Sequence, residues 1–255
     1  MRSIPFLRIL KSEFQKTKNI WGLTLSVLGP IGVSLIVMLG FLNNADQASN
    51  ATNPWYDFAK VSYQFYAFLY PLFATLITFL IANIEHKNRG FKHIFSLPAP
   101  KIYFYLSKVI ILIFWISCSL LTALACLYLF GSLVGILVPA YGFQEYAITP
   151  ASYSFIFRSF VLLLSIISIH FFLSLYWDNF IVAVGVGVFL VVFGLVIYSN
   201  WQYDYLVPYT FSIANYIDYN TNKVVWISRE TWISLIYATV FFTGGYFLMA
   251  RKNIN

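Results

Sequence analysis

Six long apolar runs, at about 21–42, 63–84, 106–130, 155–176, 180–198 and 231–249, alternate with shorter polar segments along the chain. A helix needs about 20 residues to cross a hydrocarbon core of about 30 Å, and these runs meet or approach that length. Alternating barrel strands do not produce apolar runs of this kind, so the pattern predicts helices. The expected fold is therefore an all-α integral membrane protein, with six transmembrane helices in a single domain over 1–255. The pattern divides it into an interfacial helix at 1–20, spans one and two within 21–84, a polar loop at 85–105, and spans three to five within 106–198. An outer loop at 199–230 and span six with its tail at 231–255 complete it. Residues 131–139, GSLVGILVP, are apolar but too short to cross, and are expected as a re-entrant or interfacial piece.

Two polar segments carry a periodicity of their own. In MRSIPFLRILKSEFQKTKNIW, Leu7, Leu10 and Phe14 fall at helical spacing beside a polar row of Arg8, Lys11, Gln15 and Lys18. That is the pattern of a basic amphipathic helix lying in the interface, although many membrane proteins open on an ordinary basic stretch. In NIEHKNRGFKHIFSLPAPKIYFYLSK, Phe91, Ile94 and Phe95 form a short apolar stripe on a basic helix that Pro98 and Pro100 stop. Glu85 is disfavoured at a helix C-terminus and suits the N-terminus of the short helix that follows. Two readings stay open here: a stiff helix that presses into a partner, or a solvated loop that keeps positive charge inside.

Composition strengthens the membrane reading. The chain is 60% hydrophobic and only 10% charged, against about a quarter charged in soluble domains. Its basic residues also set an orientation. Arg2, Arg8, Lys11, Lys16 and Lys18 precede span one; Lys87, Arg89, Lys92, Lys101 and Lys108 separate spans two and three; Arg251 and Lys252 follow span six. Only Lys60, Arg158, Lys223 and Arg229 fall to the opposite loops. Both termini are thus expected in the cytoplasm. The net charge of +7 is accounted for by orientation and contact with anionic membrane lipid, with no need of nucleic acid.

Chemistry is sparse. The chain lacks the phosphate-cradling GxxxxGK[ST] loop, the HExxH zinc pair and the GxSxG elbow. His170 is the clear ionisable residue inside a span, and it reads either as a helix-to-helix hydrogen bond or as part of a proton path. Ser165 and Ser168 lie on other faces of that helix, which argues against a serine-type site. Cys118 and Cys126 are about 12 Å apart along one helix, too far for a disulfide.

The segments LKSEFQKTKNIW before span one and EHKNRGFKHIFSLPAPKIYFYLSK after span two resemble ABC-2-type transporter permeases, and within them the six-span subunits of the lantibiotic-protection group. The matching features are Glu13 followed by Lys16, then Glu85, a short helix at 86–95, the Ser96-Leu97-Pro98 turn and Lys108. YLVPYTFSIANY at 205–216 is similar to the group's Pro-containing outer segment. The resemblance implies a dimer of permease subunits, homodimeric or paired with a similar six-span chain. It also implies a separate cytoplasmic ATPase that holds ATP and Mg, while this chain binds no cofactor or metal and is not itself an enzyme.

The coupling contacts would be Glu85, His86, Lys87, Arg89, Gly90, Phe91, Ile94, Phe95, Leu97 and Pro98. Leu7, Leu10, Lys11, Glu13, Phe14 and Lys16 would form the interfacial helix. The outer aromatic loop, with Trp201, Tyr205, Pro208, Tyr209 and Tyr216, is expected to lie as a cap at the membrane surface, either touching substrate or anchoring at the interface. The expected function is expulsion of a membrane-active peptide or hydrophobic compound across a bacterial cytoplasmic membrane. The alternative is a non-transporting scaffold or sensor that recruits a soluble partner through the basic loop.

Overall fold

The computed structural model describes residues 5–17, 21–50, 53–87, 99–175, 180–198 and 200–251. Among these residues the regular structure is helical throughout. Eight α-helices follow in order: α1 Phe6–Thr17, α2 Trp21–Asn43, α3 Pro54–Lys87, α4 Lys101–Leu137, α5 Pro150–Ser174, α6 Phe180–Ile197, α7 Phe211–Asn220 and α8 Arg229–Arg251. Five of them, α2, α3, α4, α5 and α8, are long and apolar enough to cross a membrane, and α6 carries a shorter apolar stretch at Val184–Ile197. The chain is an all-α multi-pass membrane protein.

The helices overrun the spans read from hydropathy. With 34 and 37 residues, α3 and α4 rise about 51 and 55 Å, well past a hydrocarbon core of about 30 Å. Lys60, expected in a loop, therefore sits within α3, and Arg158, also counted with the outer loops, sits within α5. Residues 131–137 are likewise no separate re-entrant piece: they continue α4 for two more turns. Glycine there allows close packing instead of a break. A Cβ on Gly131 would lie 2.5 Å from the Trp55 ring, and one on Gly135 would lie 2.8 Å from Phe143 Cβ. The helix stops at Val138, whose N–H donates to Val134, and Pro139 then opens a 3₁₀ turn.

α3 is the centre of the bundle, packing against α2, α4, α5, α6 and α7, while α8 lies along α5 and α1 along α4. Aromatic side chains fill the core: Tyr63 stacks on Phe155 with ring centroids 4.0 Å apart, and Tyr66 and Tyr70 continue the row along α3. Proline inside α2 shapes a local exchange of hydrogen bonds. Pro30 has no N–H for the carbonyl of Ser26, and Ser119 Oγ of α4 donates to that carbonyl at 2.5 Å. Tyr66 Oη in turn donates to the Pro30 carbonyl at 3.2 Å.

Helix ends gather at two poles. At the α1 end, Lys101 Nζ donates to the Ala250 carbonyl at 2.9 Å, and Tyr105 Oη to that of Phe242 at 2.6 Å. At the α7 end, Tyr56 Oη donates to the Asn220 carbonyl at 2.8 Å, Trp55 Nε1 to Phe143 at 2.9 Å, and Tyr141 Oη to Phe41 at 2.9 Å. The last turn of α3 and the first turn of α4, which flank the predicted coupling loop, both lie at the α1 end.

Candidate functional site

The α1 end holds the chain's most buried ion pair among the described residues. Glu13 Oε2 accepts from Lys108 Nζ at 2.6 Å and Oε1 from Lys16 Nζ at 2.5 Å. The side chains of Glu13 and Lys108 are each only 4% exposed. Burying one carboxylate between two ammonium groups satisfies both of its oxygens, and it ties α1 to the second turn of α4. Lys108 is thus a structural partner of Glu13 as well as a basic residue placed beside span three.

This pairing rotates α1 relative to its hydrophobic pattern. Ile9, Glu13 and Thr17 form the buried face, whereas Leu7, of the expected apolar row, is 74% exposed. Leu10 and Phe14 are half-buried, with Phe14 edge-on to Phe114 at 5.2 Å. A purely apolar reading of periodicity misses the reason: the carboxylate meets Lys108 on the bundle side and Lys16 on its own helix, so Glu13 goes in and Leu7 stays out. The signal available in the sequence was Glu13 itself, the one acidic residue of α1. Lys11 is exposed.

Of the expected coupling residues, Glu85, His86 and Lys87 close the last turn of α3. Arg89, Gly90, Phe91, Ile94, Phe95, Leu97 and Pro98 lie outside the described residues.

At the other pole the outer segment does not lie flat as a cap. Pro208 and Tyr209 are buried, and Tyr209 Oη shares a 2.8 Å hydrogen bond with His170 Nε2. His170 lies about 22 Å further along α5 than Phe155, yet Asn215 of the same segment donates to the Phe155 carbonyl at 3.0 Å. The chain therefore dips into the bundle after α6, and α7 climbs back out. Gly194 makes room for the dip, since a Cβ there would stand 2.8 Å from Tyr209 Cβ. His170 is held in a helix-to-segment hydrogen bond.

Short α6 leaves the space that this segment enters. Gly187 packs against Thr75, which is about 18 Å below Tyr63 on α3, and α6 rises only about 15 Å more before it ends at Ile197. It stops close to the level of the Tyr63–Phe155 stack. Just there, Arg158 is buried at 1% exposure. Its Nη1 donates to Asp218 Oδ2 at 2.8 Å and its Nη2 to Ser228 Oγ at 3.0 Å, while Nε is buried without a partner. The count of basic residues assigned Arg158 to the outer side, and the structure buries it within α5 instead of leaving it in a loop.

Tyr219, stacked on Tyr56 at 5.3 Å, is pushed up to about 12 by burial, so its hydroxyl stays protonated at physiological pH. Trp201 is exposed, Tyr216 is half-buried, and Tyr205 carries the Arg229 guanidinium 3.5 Å above its ring. A polar cavity of about 160 Å³ lies beside it, lined by Tyr198, Asp204, Tyr205, Thr210, Arg229 and Glu230.

Among the described residues no three His, Cys, Asp or Glu side chains gather as metal ligands do, and Cys118 and Cys126 are free thiols. The model of one protein family, described as ABC-2 family transporter protein, matches residues 9–194. That stretch runs from the first turn of α1 to the last turn of α6. Comparison with curated proteins and with solved structures finds no match.

Proposed function

Because the chain belongs to the ABC-2 family of membrane transporter proteins, we propose that it is the membrane-spanning permease subunit of an ATP-driven exporter. In this reading α6 is the fifth of six spans, both termini are cytoplasmic, and the α1 end faces the cytoplasm of a bacterial cell. A separate ATPase, holding ATP and Mg, docks on the segment between α3 and α4. A second permease subunit, identical or similar, completes the path. The cargo is a membrane-active peptide of the lantibiotic class or another hydrophobic compound.

The observation that carries this reading is the family match combined with where α3 and α4 turn. The end of α3 and the start of α4 lie at the same pole as α1, and Glu13 clamps α1 to α4 within two turns of Lys101. A push delivered to the turn reaches a bundle whose helices are packed side by side, which suits rigid-body rocking between two arrangements. Cargo of low polarity suits the spans, whose ionisable groups are few.

The test is co-purification of the ATPase with two variants. Phe91→Asp places a charge in the expected contact and should strip the ATPase and abolish transport, since burying an unpaired charge costs several kcal/mol. Lys87→Ala removes a rim charge worth at most about 1 kcal/mol and should retain most of the complex. A Phe91→Asp protein that keeps both partner and activity would show that the loop serves only as a positive-inside anchor.

A further inference from the structure

The pairing of Glu13 leaves the open side of α1 with charge of one sign. Its single carboxylate is turned inward onto Lys16 and Lys108, whereas Arg8 and Lys11 are exposed and meet no carboxylate among the described residues. Beside Lys11, with Arg8 three residues before it on α1, runs an apolar groove of about 410 Å³ between α1 and α4, with Leu7, Leu10 and Phe14 on one wall and Ile110, Ile111 and Phe114 on the other. Lys11 and Gln15 stand at its edge. Leu7, Ile110 and Phe114 remain substantially exposed on it.

We propose that this groove is a binding site for one anionic phospholipid, with an acyl chain lying between α1 and α4 and the headgroup phosphate held by Lys11 and Arg8. Charge complementarity selects the occupant. An apolar slot alone accepts any lipid chain, but two cations with no internal counter-charge favour an anionic headgroup. Long basic side chains reach the headgroup level while their methylenes cover the slot. The site sits against the Glu13–Lys108 clamp, so a bound lipid braces α1 on α4. The inference concerns binding only and stands whether or not the chain is an exporter.

Native mass spectrometry of the full chain in neutral detergent, titrated with dioleoylphosphatidylglycerol or dioleoylphosphatidylcholine, tests it. The wild type is expected to retain one phosphatidylglycerol in preference to phosphatidylcholine. The Arg8→Ala, Lys11→Ala double variant should lose about 25-fold in affinity for phosphatidylglycerol, about fivefold for each cation, with little change for phosphatidylcholine. Ile110→Trp, which fills the slot, should weaken both lipids, and glycerol 3-phosphate should not compete. Melting curves in lipid-free detergent identify any variant that has merely unfolded, and Arg8→Ala or Lys11→Ala alone then replaces it. Equal retention of the two lipids by the wild type overturns the proposal. So does an undiminished preference in the double variant, or a second copy of the chain or an apolar compound held in the groove that phosphatidylglycerol fails to displace.

Discussion

At the α1 pole, Lys16 and Lys108 converge on one buried carboxylate, and its contact with Lys108 of α4 holds a surface helix to the bundle. At the α7 pole, Arg158, Asn215, Tyr56, Trp55 and Tyr141 spread their hydrogen bonds over segments from all along the chain. One pole depends on a concentrated ionic contact, the other on many neutral or singly charged ones that share a crowded aromatic packing. Concentration makes a contact that breaks as a unit. Distribution makes a cap in which the loss of any one partner is shared by its neighbours. A transporter of the proposed kind has use for both, a joint that transmits movement at one end and a fixed frame at the other.

The largest expected effect is at the concentrated pole. Glu13→Ala removes the buried carboxylate shared by Lys108 and Lys16, and breaking a buried pair from one side costs up to about 3–5 kcal/mol. It should appear as a clear drop in melting temperature of the purified protein. Lys108→Met in the same chain removes a buried charge as well, and a second drop no larger than the first is expected if the two residues act as one pair. Equal melting of Glu13→Ala and wild type would mean that α1 is not clamped as described.

Next comes the packing of the other pole. Gly131→Ala drives a Cβ into Trp55 and should destabilise by about 1–3 kcal/mol, the usual range for overpacking. Gly32→Ala meets open space and gains helix propensity, so it should be neutral or stabilising by up to about 1 kcal/mol. If the two alanine variants melt together, the α4–Trp55 approach is looser than it stands here.

A smaller loss is expected for Asp218→Asn, about 1.5 kcal/mol, in keeping with one hydrogen bond to a charged group. Asp218 is 29% exposed, and Arg158 keeps both Ser228 and the amide oxygen, so solvent and neighbours soften the change. A drop as large as that of Glu13→Ala would erase the contrast between the poles. Tyr209→Phe should cost least, about 1 kcal/mol for a single neutral hydrogen bond. Its more telling readout is hydrogen exchange in the 203–210 segment, where faster exchange is expected without global unfolding. Unchanged exchange there would show that His170 does not hold the dip in place.

Much of the architecture was legible in the chain itself. Apolar runs longer than a strand can use, bounded by basic segments, dictate membrane helices, because backbone polar groups in hydrocarbon must be satisfied within the helix. The family was legible too, in Glu13, Lys16, Glu85, the Ser96-Leu97-Pro98 sequence and Lys108, and the family match over residues 9–194 agrees. Helix ends were not, since hydropathy measures only the stretch in contact with lipid. α3, α4 and α5 run on past that limit because other protein segments, Phe143 and Tyr219 among them, pack against the extra turns.

Tertiary structure alone decided three things. It set which face of α1 turns inward, because the choice depends on Lys108, far away in the chain. It placed Arg158 in a buried pocket, because Asp218 and Ser228 arrive from the last third of the sequence. And it sent Pro208 and Tyr209 down into the bundle, because only the shortness of α6 and the absence of a side chain at Gly194 leave the space that an aromatic segment otherwise fills at the membrane surface.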